Sequence, residues 1–261
     1  MSQDLNVSLV QYDIFWQDKI ANLAYLEELL ASLPTTELVL LPEMFTTGFT
    51  MSVEKFAEPH NLTTFRWLQQ MAKQKNTCIA GSYIVSENQL YYNRLVYVQP
   101  DGSFSYYNKR HLFRMGEEHL YYTAGKKHLV VTQKNWRIAF FICYDLRFPV
   151  WCRNSKDNPY DVAVFLANFP SSRQHVWSTL LKARAIENAC YTIGVNRVGI
   201  DGRDIEYKGG SMIVNFKGEI VAELFDTISI LNHTLSWEEL VAFRQKFPVL
   251  LDADDFEIHL S

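Results

Sequence analysis

The stretch IAFFICYDLRFP, residues 138–149, joins an apolar run to a cysteine and a polar turn. The five apolar residues 138–142 are typical of a strand buried in a core, and Cys143 ends the run. One interpretation is a buried structural cysteine, since free cysteine is among the most buried residue types. The other is a nucleophile held at the end of a strand, where the ligands of layered α/β folds collect.

The composition is that of a globular protein and not of a disordered one. The chain has 261 residues, of which 48% are hydrophobic and 21% charged, and this size fits one large layered domain over residues 1–261. The net charge is −4, and basic clusters such as Lys109-Arg110 and Lys126-Lys127 are short. These features argue against nucleic acid as the main partner.

Cysteine usage and apolar runs indicate the compartment. The four cysteines, at positions 78, 143, 152 and 190, form no C-x-x-C pair and have no metal-ligand spacing, which favours reduced thiols in a cytosol. The first residues lack the pattern of a signal peptide. No apolar run approaches the roughly 20 residues that span a membrane. We therefore expect a soluble, cytoplasmic protein without a membrane partner.

Apolar periodicity predicts helices that alternate with strands. Helical spacing occurs over residues 20–33, 62–72, 173–189 and 236–247. Strand patterns occur over residues 6–13, 37–43, 77–85, 90–99, 103–109, 128–133, 137–143, 161–170, 190–199, 211–224 and 228–236. Some strands are continuously apolar, whereas the Pro100-Asp101-Gly102 turn marks a hairpin. Two sheets packed together with helices outside accommodate both patterns better than one doubly wound sheet.

Two further strands end on residues that could activate a cysteine. Glu43 follows the apolar run LVLL, where burial would raise the pKa of a carboxylate towards that of a useful base. Lys109 follows an aromatic strand. Each residue alone is also explained as an ordinary surface side chain. Together with Cys143 they place an acid, an ammonium group and a thiol at three strand ends.

Three segments around these residues resemble the signature segments of the nitrilase superfamily of carbon–nitrogen hydrolases. They are LPEMF (41–45), NKRHLF (108–113) and CYDLRFP (143–149), and AGSYIV, ARAIENACY and GGSMIVNFKGEIV extend the resemblance over almost the whole chain. The resemblance implies an α/β fold, a four-layer αββα sandwich of the nitrilase type. It also implies a homodimer, and no metal or cofactor.

The resemblance assigns a role to each residue of the trio. Glu43 is the general base, Cys143 attacks the amide to form a thioester, and Lys109 stabilises the oxyanion together with the backbone N–H of Tyr144. Members also carry a second glutamate near the lysine. The segment GEEHLYYTAG offers Glu117 and Glu118 as candidates. Glu118 has the seven-residue spacing to Gly125 that is typical of the superfamily and is preferred, and Glu117 remains an alternative.

Within this superfamily, CYDLRFPVWCRN and KFPVLLDADDF most resemble the omega-amidase branch, which removes the distal amide of 2-oxo acids such as 2-oxoglutaramate. A substrate carboxylate predicts a guanidinium anchor. Arg147 is the first candidate and Arg114 the second, although Arg147 could instead form a buried ion pair with Asp145 or another acid. We expect aromatic side chains of the signature segments to form the apolar wall, unless they are ordinary core residues: Phe45, Phe49, Phe113 and Phe169.

Four alternatives remain. The same site could serve an N-carbamoyl amine amidase or another short-chain amide hydrolase. The fold could be a catalytically silent scaffold that binds a partner, although the intact trio argues against it. Cys143 could be a redox sensor, with Cys152 as a poorly spaced partner. A papain-like pair would need His111 or His175 as base, and no local sequence resembles those proteases.

Overall fold

Two packed β-sheets organise the computed structural model, which describes residues 3–155 and 159–259. The strands are β1 (Leu5–Gln11), β2 (Leu38–Leu40), β3 (Glu58–Pro59), β4 (Cys78–Glu87), β5 (Leu90–Val98), β6 (Phe104–Asn108), β7 (Val130–Gln133), β8 (Trp136–Ile142), β9 (Val162–Leu166), β10 (Tyr191–Val195), β11 (Val198–Ile200), β12 (Glu206–Lys208), β13 (Met212–Val214), β14 (Ile220–Glu223) and β15 (Ser229–Leu235). The helices are α1 (Lys19–Ala31), α2 (Val53–Phe56), α3 (Thr63–Lys75), α4 (Glu118–Tyr121), α5 (Gln174–Asn188) and α6 (Trp237–Lys246). None of the helices in the described ranges is long and apolar enough to cross a membrane.

The sheets combine parallel centres with antiparallel edges. Over the described residues, the first sheet has seven strands in the order β15-β1-β2-β4-β5-β6, with β3 beside β4. In the same part of the chain the second has six, in the order β14-β13-β10-β9-β8-β7. The pairs β1–β2, β2–β4, β8–β9 and β9–β10 are parallel, whereas β4, β5 and β6 form antiparallel hairpins. Strands β11 and β12 form a separate two-stranded ribbon.

Strand β2 shows how the core is divided into layers. Leu38 and Leu40 pack between the sheets, whereas Val39 packs under α1 and α3, because successive strand residues point to opposite faces. On the other side, Trp177 of α5 and Leu240 of α6 cover the second sheet. The layers therefore follow the order α, β, β, α, which confirms the predicted fold class.

The chain leaves β2 earlier than the sequence pattern predicts. The predicted strand covers residues 37–43, but β2 ends at Leu40. Pro42 has no N–H to donate to a β-ladder, and Met44 has a positive φ of 45°. The backbone N–H of Met44 donates instead to Ser82 Oγ at 2.9 Å. Glu43 consequently lies in a tight, buried turn just beyond the strand.

Candidate active site

Cys143 lies directly after β8 and begins a single-turn 3-10 helix, Cys143–Arg147. Its φ is +43°, in the left-handed region that residues other than glycine seldom adopt. The residue is half-buried and lines a cavity. Backbone strain of this kind is concentrated at functional sites.

Asp145 holds the turn that contains the cysteine. Its carboxylate is fully buried and accepts hydrogen bonds from the backbone N–H of Ile142 at 3.0 Å and from the hydroxyl of Tyr107 at 2.7 Å. It also accepts from the backbone N–H of His111 at 2.9 Å, with the ring Nδ1 at 2.8 Å. Tyr107 and His111 flank Lys109, so one carboxylate ties the cysteine turn to the lysine segment of the other sheet.

Lys109 lies between two buried carboxylates. Its Nζ is 2.8 Å from Glu43 Oε1, 2.9 Å from Glu118 Oε2 and 3.1 Å from Glu118 Oε1. Glu118 Oε2 also accepts the backbone N–H of Phe113 at 2.6 Å. Glu117 is exposed and forms the left-handed residue before α4. The structure thus brings Glu118 to the lysine, and not Glu117.

Two asparagines complete the hydrogen bonds of these carboxylates. The side-chain Nδ2 of Asn93 donates to Glu43 Oε1 at 2.8 Å and to Glu118 Oε1 at 3.3 Å. The backbone N–H of Asn168 donates to Glu43 Oε2 at 2.9 Å, its Nδ2 donates to the Glu43 carbonyl at 2.5 Å, and its own carbonyl lies 3.9 Å from Cys143 Sγ. The sequence pattern identified neither asparagine. Asn168 closely follows the apolar strand β9 and so carried a signal, whereas Asn93 lies next to Arg94 within β5 and carried none.

Burial and neighbouring charges decide the protonation states. Burial, followed by the Glu43 carboxylate, raises the pKa of the Cys143 thiol well above its ordinary value, against a lowering by Lys109. Burial alone would lower the pKa of Lys109, but Glu118 and Glu43 outweigh it and raise that pKa. Burial raises the pKa of Glu118, and Lys109 opposes this. Near neutral pH the lysine is therefore charged and the thiol protonated, so attack by sulfur needs a base.

We expect alkylation of Cys143 by iodoacetamide to reveal this raised pKa. The thiolate is the reactive form, so the rate should be low near neutral pH and should still rise steeply at about pH 10, where an ordinary thiol is already largely ionised. The rate would be measured by mass spectrometry of the Cys143 peptide between about pH 6 and about pH 10, with glutathione as the reference. A pH profile that matches glutathione would contradict the expectation.

A cavity of about 310 Å³ opens over Cys143. Aromatic side chains form much of its wall, and they include the predicted Phe49, Phe113 and Phe169 and also Tyr144. The contact predicted for Phe45 is wrong: its ring is fully buried under the helices, 5.9 Å between centroids from Trp67. The left-handed turn at Met44 directs the Phe45 ring into this core instead of into the cavity.

Arg147, the first candidate for the carboxylate anchor, lines the cavity, and the residue is exposed. The alternative ion pair with Asp145 is absent from the described residues, because the carboxylate of Asp145 is occupied by the groups named above. The second candidate, Arg114, is exposed and lies outside the cavity lining. The structure thus places Arg147 in the cavity wall and Arg114 outside it.

Two further arginines of the lining were missed. The guanidinium of Arg173, just before α5, lies 5.3 Å from the centroid of the Phe113 ring. Arg203, in the turn between β11 and β12, donates from Nη2 to the carbonyl of Phe49 at 3.1 Å and lies 3.9 Å from Asp201 Oδ2. Neither arginine follows an apolar strand directly, so the pattern that identified the trio gave no signal for them.

Known proteins similar to this chain identify its family. A model of the carbon-nitrogen hydrolase family matches residues 6–245. Omega-amidase YafV of Escherichia coli (strain K12) is 41% identical over 255 residues, which cover 97% of this chain and 98% of that protein. The 2-oxoglutaramate amidase of Bacillus subtilis (strain 168) is 30% identical over 250 residues, with coverage of 94% and 96%.

A solved structure supports the same family. The crystal structure of a CN-hydrolase superfamily protein from Xanthomonas campestris, with an arsenic adduct in its active site, matches with a TM-score of 0.96 and 42% identity. The match covers 98% of this chain and 99% of that one. The chain therefore belongs to the carbon–nitrogen hydrolase family, as the signature segments predicted, and it is a hydrolase that acts on carbon–nitrogen bonds.

Proposed function

We propose that this protein is an omega-amidase that hydrolyses the terminal amide of 2-oxo dicarboxylic acid monoamides, converting 2-oxoglutaramate to 2-oxoglutarate and ammonia. The observation that carries the proposal is the cavity over Cys143, which joins the buried Glu43–Lys109 pair to three arginines. A small cavity with aromatic walls on one part of its surface and cationic groups on another suits a short amide that ends in a carboxylate. Similarity to the two amidases supports the same substrate class.

In the acylation step, Glu43 takes the thiol proton while Cys143 Sγ attacks the amide carbonyl carbon. The carbonyl oxygen becomes an oxyanion, which accepts hydrogen bonds from Lys109 Nζ and from the backbone N–H of Tyr144. One such donor typically contributes about 3 kcal/mol to the transition state. The C–N bond then breaks, Glu43 returns the proton to nitrogen, and ammonia leaves a thioester on the sulfur.

In the deacylation step, water replaces ammonia in the cavity. Glu43 removes a proton from the water as its oxygen attacks the thioester carbon, and the same donors stabilise the second oxyanion. The C–S bond breaks, the sulfur regains the proton from Glu43, and the dicarboxylic acid departs. The raised pKa of the thiol fits this cycle, because the proton returns to sulfur at its end.

Arg173 is the best placed of the three arginines to bind the substrate carboxylate. Its side chain is half-buried, and no acidic side chain in the described ranges pairs with it. Arg203 already donates to a carbonyl, and Arg147 is exposed. A guanidinium without a partner gains most from an incoming carboxylate.

The test compares ammonia release from 2-oxoglutaramate with release from pentanamide, a neutral amide of equal chain length. The wild type should prefer 2-oxoglutaramate. Arg173→Ala should lower kcat/KM for it about 10- to 100-fold, mainly through KM, since a hydrogen bond to a charged group contributes roughly 1.5–3 kcal/mol. Release from pentanamide should not change.

Arg114→Ala, which removes an exposed arginine outside the cavity, is the matched control and should behave as wild type. A wild type that hydrolyses pentanamide or an N-carbamoyl amine but not 2-oxoglutaramate would show that the proposed substrate class is wrong. If Arg173→Ala kept full kcat/KM for 2-oxoglutaramate, the carboxylate would have to bind another arginine.

We also propose that the protein is a homodimer and is cytoplasmic. The resemblance to the superfamily supports the first proposal, and twice the chain mass in light scattering would test it. The four free cysteines support the second, since they suit a reducing compartment. Localisation of a tagged chain by fractionation would test it.

A further inference from the structure

The guanidinium of Arg173 is held by an aromatic ring and by no acid. Its central carbon Cζ lies 5.3 Å from the centroid of the Phe113 ring, within the roughly 6 Å over which a cation is attracted to the face of a ring. Among the described residues, no carboxylate pairs with this side chain. Arg173 is half-buried and lines the cavity, so the Phe113 ring decides where its charge lies.

The backbone of Phe113 is tied to Glu118. Its N–H donates to Glu118 Oε2 at 2.6 Å, and its carbonyl accepts the backbone N–H groups of Gly116 at 3.0 Å and Glu118 at 3.2 Å. The carboxylate of Glu118 in turn meets Lys109 Nζ at 2.9 Å. The ring that contacts Arg173 therefore projects from a backbone that is fixed to the buried charges beside Cys143.

Neighbouring residues define where the Phe113 ring lies. Its centroid is 5.1 Å from that of Tyr144, in a T-shaped contact, and 6.3 Å from that of Phe49. A Cβ atom on Gly116 would lie only 2.8 Å from Phe113 Cδ1, closer than real Cβ atoms approach a carbon. The glycine thus leaves the space that the ring occupies.

We propose that Phe113 is a positioning residue that holds the guanidinium of Arg173 in place for the substrate carboxylate. This inference rests on the proposed function, because it concerns the acid that would bind Arg173. Ordering a long arginine side chain costs free energy on binding, and a guanidinium already held against a ring loses less freedom when the carboxylate arrives. Because Phe113 is also tied to Glu118, the carboxylate anchor keeps its position relative to the catalytic centre.

Fluorination of the ring tests this contact while the shape of the side chain is nearly kept. Trifluorophenylalanine in place of Phe113 weakens the negative face of the ring, to which a cation is attracted. The probe is pentanoate, a short carboxylate, which should protect Cys143 from alkylation by iodoacetamide when it occupies the cavity. The Kd of pentanoate, measured from this protection, should rise about 3- to 10-fold with the fluorinated ring. Phe113→Leu, which lacks the ring, should give a similar rise.

The matched control places trifluorophenylalanine at position 165. Phe165 is fully buried in the core and stacks on Phe141, with centroids 5.0 Å apart. The Kd of pentanoate should there stay within about twofold of the wild-type value, because the site is independent of the cavity. An unchanged Kd with the fluorinated ring at Phe113 would overturn the proposal, and so would a wild type that pentanoate does not protect.

A double-mutant cycle on ammonia release tests Arg173 as the partner of the ring. Phe113→Leu should lower kcat/KM for 2-oxoglutaramate about 3- to 10-fold in the wild-type background, but less than about twofold in Arg173→Ala. Equal effects in both backgrounds would overturn the proposal, since the ring would then act only as part of the wall. A wild type that releases no ammonia from 2-oxoglutaramate is a separate result. It contradicts the proposed function, whereas the binding of pentanoate still tests the role of Phe113.

Discussion

Cys143→Ala should abolish ammonia release from 2-oxoglutaramate, with a fall in kcat of at least about 10⁴-fold. No thioester can form without the sulfur, and the nearest cysteine in sequence, Cys152, is fully buried in the core. Alanine has the same Cβ as cysteine, so the left-handed backbone at this position is equally strained in both proteins. The variant should therefore fold as the wild type does, with a similar melting temperature.

Mass spectrometry after an acid quench provides the second measurement. Wild type stopped during turnover should carry a 2-oxoglutaryl group on the Cys143 peptide, and Cys143→Ala should carry none. A variant that lacks the sulfur but still releases ammonia would eliminate the nucleophile and the thioester together. Wild type that releases ammonia but carries no acyl group would be compatible with a cysteine nucleophile only if the thioester were hydrolysed faster than it forms. Single-turnover kinetics would measure the rates of these two steps.

Lys109→Met should reduce both stability and activity. The neutral side chain would leave Glu43 and Glu118 buried without their shared cation, and removal of one partner of a buried ion pair typically costs about 3–5 kcal/mol. Loss of an oxyanion donor should lower kcat by a further factor of about 10²–10³. Urea denaturation gives the first quantity, and ammonia release gives the second.

The double variant Lys109→Met/Glu118→Gln separates the two effects. It removes one of the two buried negative charges and should recover much of the lost stability, but none of the activity. In the single variant the pKa of Glu118, which burial already raises, would lie further above its unfolded value. The folded state would then bind the proton more tightly, so stability should increase as the pH falls. If Lys109→Met had the same free energy of unfolding as the wild type at every pH, the expected loss of stability and its pH dependence would both be wrong.

The charged part of the candidate site was predictable because each member interrupts a clear pattern. Glu43, Lys109 and Cys143 each follow an apolar or aromatic strand, and strand ends meet at one edge of a layered fold. The four-layer fold was predictable for a related reason, since continuously apolar strands and hairpins occur in one chain. Short elements such as β3 and the β11–β12 ribbon have too few residues to show a period.

The asparagines and the cavity-lining arginines of the candidate site were not predictable from strand ends. Asn93 and Asn168 act through amide N–H groups, which carry no charge pattern, and their role depends on which carboxylates the fold brings near. Arg173 and Arg203 reach the cavity from a helix start and a ribbon turn, positions that only tertiary packing decides. The place of Phe45 in the signature segment LPEMF predicts a contact with the cavity, but the ring lies in the core under the helices.

The backbone at Cys143 also bears on how such a protein could lose its activity in evolution. A left-handed conformation costs an L-residue roughly 1–2 kcal/mol, a cost that glycine avoids. A descendant with glycine at this position would escape this backbone cost and would have no nucleophile. A scaffold selected only for binding would have reason to drift to that state. Under the proposed function, the nucleophilic sulfur is what would keep a cysteine in this unfavourable conformation.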